Sequence, residues 1–254
     1  MTNNWLISYP RSGSNFLRYC IEFMTGLPTE GEAKLHKLEG DDLIDWMHHI
    51  LNDDTHSIVN GRPVVSGHLR KWTRDCHQNK LILKREHNMN SAMASFSSAA
   101  TENICFLVRN YRELYYRHDP LTPRHHYDAT NPGHEFFEIT TQLNSYFDFY
   151  KEYEGKKKII YYEDLLSGTD DIEMLLTEFY DCKLTHDIRE FKKQIVYHRE
   201  QSLALLHNPR FSDAYSERFF QESVPMAELC RLDKDFEKAL GTNFKFMERY
   251  RICD

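Results

Sequence analysis

The most informative stretch of the chain runs Trp5-Leu6-Ile7-Ser8-Tyr9-Pro10-Arg11-Ser12-Gly13-Ser14-Asn15-Phe16. Its first residues are apolar enough to form a short buried strand. Small hydroxyl residues and a glycine follow, and from Phe16 to Met24 apolar residues recur at helical spacing. Such a strand–turn–helix exposes backbone N–H groups at a helix N-terminus, which stabilises an anion, and Arg11 adds a full positive charge. The stretch therefore predicts an anion-binding turn.

Beyond this turn, apolar runs alternate with helical patterns. The runs at 64–65, 81–83, 104–108 and 158–162 are typical of buried strands. Helical spacing marks 136–150, with Phe136, Phe137 and Phe147 in its apolar stripe, and about 226–240, where Gly241 is placed to end the helix. This alternation favours an α/β fold with a central, mainly parallel sheet and helices on its faces. Because no repeat or linker interrupts it, we expect a single domain over residues 1–254.

Composition and charge exclude several classes of protein. Of the 254 residues, 41% are hydrophobic and 13% aromatic, which is enough to build a substantial core. The formal net charge of -7 and the absence of a Lys/Arg tract argue against nucleic acid as a partner. No apolar run reaches the roughly 18 residues of a membrane span, and no signal peptide is visible. The six cysteines are scattered without a C-x-x-C pair, which suits a reducing compartment and predicts a cytoplasmic protein.

A second candidate anion-binding segment runs Phe106-Leu107-Val108-Arg109-Asn110-Tyr111-Arg112-Glu113. Arg109 follows an apolar strand, and ligands of open α/β sheets bind outside the carboxyl ends of the strands. The first turn does not follow the Walker pattern of nucleotide-binding loops, because Ser8 occupies the position of that pattern's first glycine.

These two segments resemble the 5'-phosphosulfate loop and the 3'-phosphate segment of the sulfotransferase superfamily. The usual loop of that family reads Y-P-K-S-G-T-x-W, and here Arg11 stands for the lysine and Phe16 for the tryptophan. The segment from Ile160 to Leu165 is similar to the family's Y-E-D-L strand end, and residues 196–209 are similar to a downstream segment that encloses the nucleotide. The resemblance thus covers nearly the whole chain.

The resemblance implies a three-layer α/β/α fold like that of P-loop NTPases, and a reaction. A sulfuryl group would move from 3'-phosphoadenosine 5'-phosphosulfate to a hydroxyl or amine of a small-molecule, glycan or lipid acceptor. The product would be adenosine 3',5'-bisphosphate, and no metal would be required.

The resemblance also implies roles for individual residues. Arg11 would contact the bridging and sulfuryl oxygens, and Arg109 would bind the 3'-phosphate. Arg117 stands where the family usually has a serine, and an arginine there could also bind the 3'-phosphate. The other implied nucleotide-binding residues are Ser12, Gly13, Ser14 and Asn15 at the 5'-phosphate, Phe16 and Tyr162 at the adenine, and Ser202 in the downstream segment. Arg210 is the nearest candidate for the family's C-terminal R-K-G phosphate loop, which is otherwise not recognisable.

Two histidines compete for the role of catalytic base, for which histidine is well suited at neutral pH. His87 precedes Arg109 at a distance close to that of the family's base, and Lys84 stands near it as the family's assisting lysine. His68 follows Arg11 at a distance that also fits. The sequence favours His87 slightly and leaves His68 open.

Two other functions remain in competition. One is a P-loop kinase-like phosphotransferase acting on a small molecule, which the missing Walker pattern disfavours. The other is a non-catalytic nucleotide-binding relative, suggested by Arg117 at the serine position and by the uncertain base.

Overall fold

The structure is a computed structural model that describes residues 4–25, 29, 36–37, 43–44, 56–59, 62–65, 83–96, 102–117, 126–167, 170–184 and 224–253. The described strands are β1 (Asn4–Ser8), β2 (His36–Lys37), β3 (Leu43–Ile44), β4 (His56–Val59), β5 (Arg62–Val65), β6 (Lys84–Glu86), β7 (Asn103–Val108) and β8 (Lys157–Tyr161). The described α-helices are α1 (Ser14–Thr25), α2 (Met89–Ser95), α3 (Tyr111–Tyr116), α4 (Gly133–Glu152), α5 (Tyr162–Ser167), α6 (Asp170–Met174) and α7 (Met226–Leu240). A π-helical turn, Leu175–Phe179, follows α6, and 3-10 turns, Gly241–Phe246 and Glu248–Tyr250, follow α7.

The chain divides into two compact units. The first comprises residues 1–14, 86–166 and 216–254, and the second comprises residues 15–85 and 167–215. Most of the described residues that bear on function belong to the first unit. A single domain over 1–254 stays a prediction.

The central sheet has the strand order β6–β1–β7–β8. β1 and β8 each pair with β7 in parallel, with Ser8 opposite Leu107 and Tyr161 opposite Val108. The predicted α/β fold with a central, mainly parallel sheet flanked by helices is confirmed. Because the paired strands are parallel, the segments that follow Ser8, Val108 and Tyr161 all leave from one edge of the sheet.

Helix α4 packs an apolar face into the core of the first unit. Its buried side chains Phe136, Ile139, Leu143 and Phe147 recur at spacings of three and four, as one face of a helix requires. The predicted stripe was wrong at Phe137, whose side chain is 58% exposed. Consecutive helical residues point about 100° apart, so Phe136 and Phe137 cannot both face the core.

Helix α7 has the predicted bounds, and Gly241 ends it with a positive φ of 54°. The 3-10 turns that follow bring Cys253 back to Cys230, and the two form a disulfide. The expectation that the scattered cysteines stay reduced therefore does not hold for this pair. Their proximity depends on the path of the chain after Gly241, which spacing in the sequence does not reveal.

The described part of the second unit contains two antiparallel ribbons, β2–β3 and β4–β5. Near them in sequence, Leu83 forms a parallel bridge with Thr29. The buried Arg18 of α1 donates from Nε to Oγ1 of Thr29 at 2.8 Å. This bond ties α1 to the segment that follows it.

A side-chain cap fixes the beginning of α2, immediately after His87. Oδ1 of Asn88 accepts from the N–H groups of Asn90 and Ser91, at 2.9 and 3.2 Å. We expect Asn88→Ala to lower the free energy of unfolding by about 1 kcal/mol, because both donors lose their partner. Urea denaturation measures the loss, and Asn88→Asp, which keeps an acceptor, should retain most of the stability. An equal loss in both variants would contradict the capping role.

Candidate functional site

The chain makes a tight turn between β1 and α1, where the sequence predicts an anion-binding turn. The N–H of Ser12 donates to the carbonyl oxygen of Tyr9 at 3.1 Å, and α1 begins at Ser14. Arg11 and Gly13 both have positive φ, 73° and 91°. For Arg11 this conformation costs about 1–2 kcal/mol, and backbone strain of this kind concentrates at functional sites. The turn thus leads directly into the N-terminus of α1, where backbone N–H groups can bind an anion.

The ring of Tyr162, the first residue of α5, leaves no space for a side chain at Gly13. A Cβ atom on Gly13 would lie 2.2 Å from Cδ2 of Tyr162. The tyrosine is completely buried, so its ring has no open space into which to move. The resemblance placed Tyr162 beside the adenine; in the structure its ring packs on the glycine of the turn.

Arg109 joins the second segment to the first turn. Its side chain is only 2% exposed, and Nη1 donates to the carbonyl oxygen of Arg11 at 3.1 Å. The guanidinium carbon lies 4.3 Å from the centre of the Tyr162 ring, in cation–π contact. The two segments meet because β1 and β7 are parallel neighbours whose carboxyl ends share one edge of the sheet.

A buried carboxylate lies between the two arginines proposed for the 3'-phosphate. Oε2 of Glu113 is 3.0 Å from Nε of Arg117 and 3.8 Å from Nη2 of Arg109. The three side chains are at most 4% exposed and together carry a formal surplus of one positive charge. No role was predicted for Glu113 from the sequence. Its spacing of four residues from Arg117 was the available signal, since such residues are neighbours on a helix.

The hydroxyl of Ser12 is a buried polar group of the turn without a hydrogen-bond partner among the described residues. The residue has no exposed surface, and its Oγ forms no hydrogen bond within the described ranges. Leaving a buried hydroxyl unsatisfied costs about 1–3 kcal/mol. Native proteins rarely keep such a group without a use for it, such as a bound ligand or ion. A phosphate oxygen at the turn is a chemically suitable acceptor for it.

His87 lies at the carboxyl end of β6, beside the end of β1. Its Nδ1 is 2.6 Å from the carbonyl oxygen of Ser8 and 3.3 Å from the Ser8 hydroxyl. A carbonyl can only accept, so Nδ1 carries the proton and Nε2 becomes the basic nitrogen. This hydrogen bond selects the tautomer that a general base requires.

Neighbouring groups hold the backbone of His87. Its N–H donates to Oε1 of Glu86 at 2.7 Å, and Tyr146 donates its hydroxyl to the carbonyl oxygen of His87. Burial, and then the nearby Tyr9, Glu86 and Glu138, raise the pKa of Tyr146. The phenol therefore stays protonated at neutral pH and remains a donor.

Tyr9, at the start of the turn, has a raised pKa for similar reasons. Burial is the main cause, and the negative charges of Glu138 and Glu135 add to it. Neither Tyr9 nor Tyr146 will serve as a base near neutral pH. The imidazole of His87, by contrast, can accept a proton near neutral pH.

Two further predicted site residues lie among the described residues. Lys84 begins β6 and belongs to the second unit. Ser14 is buried at the start of α1, in the first unit. The predictions that lie outside the described residues concern His68, Ser202, Arg210 and the side chains of Asn15 and Phe16.

The described ranges contain neither a group of side chains suited to a metal ion nor a helix suited to a membrane span. No three His, Cys, Asp or Glu side chains there come together as a group that could hold a metal ion. No helix in the same part of the chain is long and apolar enough to cross a membrane.

No protein-family model and no curated protein matches the chain. Among solved structures, it is similar to "Sulfotransferase Domain from the Curacin Biosynthetic Pathway", at 14% identity over 72% of this chain and 75% of that one, with a TM-score of 0.42. It is also similar to mouse sulfotransferase SULT7A1 complexed with PAP, at 14% identity over 98% of this chain and 89% of that one, with a TM-score of 0.46. Both similarities concern the fold alone.

Proposed function

We propose that this protein is a sulfotransferase that uses 3'-phosphoadenosine 5'-phosphosulfate as donor and a hydroxyl or amine as acceptor. The observation that carries the proposal is the position of Arg109. Its buried guanidinium bonds to the carbonyl of Arg11 and lies over the ring of Tyr162. One side chain thus connects three of the four segments to which the resemblance assigns the nucleotide.

The residues of the turn fit a 5'-phosphosulfate group. The buried hydroxyl of Ser12 and the N–H groups before α1 can donate to phosphate oxygens, and Arg11 supplies positive charge. Charge develops on the leaving phosphate as the sulfuryl group departs, so donors fixed in advance lower the barrier. Arg11 is the residue that we assign to this task, with Gly13 and Ser14 completing the turn.

Arg109 and Arg117 would bind the 3'-phosphate. This group distinguishes the proposed donor from ATP and AMP. Guanidinium groups bind phosphate in a planar, bidentate manner, and burial strengthens the interaction. The guanidinium groups of the two arginines carry the sign of charge that a phosphate requires.

His87 would act as the general base. Its Nε2 would take the proton of the acceptor as the acceptor atom bonds to sulfur, while Nδ1 keeps its bond to Ser8. When bound, the donor supplies the sulfuryl group and leaves as adenosine 3',5'-bisphosphate. The acceptor class stays open among small molecules, glycans and lipids.

A transfer assay tests the proposal. The protein is incubated with ³⁵S-labelled 3'-phosphoadenosine 5'-phosphosulfate and panels of phenols, amines, oligosaccharides and lipids. We expect label to move to one of these classes, with bisphosphate formed in equal amount. Parallel reactions contain magnesium and γ-³²P-labelled ATP. Transfer of ³²P without transfer of ³⁵S would overturn the proposal in favour of a kinase-like activity.

A further inference from the structure

Glu163 connects the candidate nucleotide site to the C-terminal end of the chain. It is the second residue of α5 and directly follows Tyr162. Its Oε1 accepts from the backbone N–H of Asn110 at 3.1 Å, and its Oε2 accepts from the hydroxyl of Tyr250. Each carboxylate oxygen thus has its own donor.

Asn110 transmits this constraint to the second segment. It lies between Arg109 and α3, and its Oδ1 caps α3 by accepting from the N–H of Arg112 at 3.0 Å. Hydrogen bonds therefore fix both the backbone N–H and the side chain of Asn110, the residue next to Arg109. Tyr162, the other neighbour of the Arg109 guanidinium, is covalently joined to Glu163. The Glu163 carboxylate therefore fixes two neighbours of Arg109, which are Asn110 and Tyr162.

Tyr250 is itself held by a buried network. Nη2 of Arg112 donates to the Tyr250 carbonyl, and Nη1 donates to Oδ1 of Asp233 at 2.5 Å. Two residues further on, the N–H of Ile252 donates to Oδ2 of Asp233 at 3.0 Å. The Cys230–Cys253 disulfide closes the same segment onto α7. The hydroxyl of Tyr250 therefore reaches Glu163 from a fixed backbone.

We propose that Tyr250 is a positioning residue, which acts through Glu163 to hold Arg109 in the geometry that recognises a 3'-phosphate. The inference rests on the proposed function and goes beyond it, because it assigns the selectivity of the nucleotide site to contacts made by the C-terminal 3-10 turn. The measurable quantity is the ratio of the affinities for adenosine 3',5'-bisphosphate and for AMP. The 3'-phosphate is the only difference between these ligands.

The test is calorimetric titration of Tyr250→Phe with both ligands. This variant keeps the ring and removes the hydroxyl. We expect the affinity ratio to fall about fivefold, the worth of one hydrogen bond between well-ordered groups. Tyr153→Phe is the matched control. It removes a bond of 2.7 Å to the Glu102 carbonyl, next to the amino end of β7, and should leave the ratio unchanged.

A second variant keeps the proposal testable if Tyr250→Phe does not fold. Glu163→Gln offers one acceptor oxygen to two donors, so we expect the ratio to fall at least as far. A stable Tyr250→Phe or Glu163→Gln protein with the wild-type ratio would overturn the positioning role. If the wild type itself shows no preference for the bisphosphate over AMP, the proposed function fails instead, which separates the two conclusions.

Discussion

His87→Asn is expected to lower kcat for acceptor-dependent formation of adenosine 3',5'-bisphosphate by about 10²–10⁴-fold, the usual contribution of a general base. The asparagine amide can still donate to the Ser8 carbonyl, so the end of β6 should keep its structure, but no basic nitrogen remains. Affinity for the bisphosphate should be unchanged, because the proposal gives His87 a role in proton transfer alone. Initial rates across a range of acceptor concentrations, with the acceptor found by transfer assay, measure the effect.

The alternative base provides the control for this experiment. His68→Asn should retain nearly the wild-type kcat if His87 is the base. The opposite pattern, an active His87→Asn protein and an inactive His68→Asn protein, would transfer the role to His68. Loss of activity in His87→Asn together with loss of bisphosphate binding would contradict a purely catalytic role.

Gly13→Ala should abolish tight nucleotide binding and destabilise the first unit. At a φ of 91° the new side chain costs about 1–2 kcal/mol of backbone strain. Its Cβ would also lie 2.2 Å from the Tyr162 ring, and overpacking of this kind costs about a further 1–3 kcal/mol. Because the buried Tyr162 ring has no space to move, the clash shifts the turn instead and disturbs the bond between Arg109 and the Arg11 carbonyl. We therefore expect the affinity for adenosine 3',5'-bisphosphate to fall by about 10²-fold or more, the equivalent of two charge-assisted hydrogen bonds.

Gly241→Ala separates backbone strain from the clash. Gly241 also has a positive φ, but a Cβ placed on it meets no atom within 4 Å. In chemical denaturation, Gly241→Ala should lower the free energy of unfolding by the strain contribution alone. The variant should bind the bisphosphate as the wild type does. Equal losses of stability and affinity in the two variants would show that the Tyr162 ring does not determine the requirement for glycine at position 13.

Local patterns in the sequence were sufficient to predict much of the fold. The bounds of α7 follow from apolar spacing and from Gly241, and the strand–turn–helix around Arg11 follows from a short apolar run and a Ser-Gly turn. These features depend on residues close together in the sequence. Phe137 shows the limit of the approach, because a hydrophobic side chain was assigned to the core although its helical position faces solvent.

The contacts that shape the candidate site depend on residues far apart in the sequence. The packing of Tyr162 on Gly13 and the bond from Tyr250 to Glu163 exist because the strand ends converge at one sheet edge and the C-terminal turn folds back onto it. No spacing rule reports such contacts. Glu113 is different, since its contact with Arg117 across α3 could have been inferred from helical periodicity alone.

Whether Arg109 recognises a 3'-phosphate is best decided by titrating the wild type and Arg109→Gln with adenosine 3',5'-bisphosphate and with AMP. Any general damage to the fold affects both ligands alike and cancels in the ratio of affinities. We predict that the wild type prefers the bisphosphate by about tenfold or more, as charge-assisted hydrogen bonds to one phosphate allow, and that the variant binds both ligands within about twofold. A wild type that binds AMP or magnesium–ATP as tightly as the bisphosphate, or a variant that keeps the full preference, would contradict the sulfotransferase proposal.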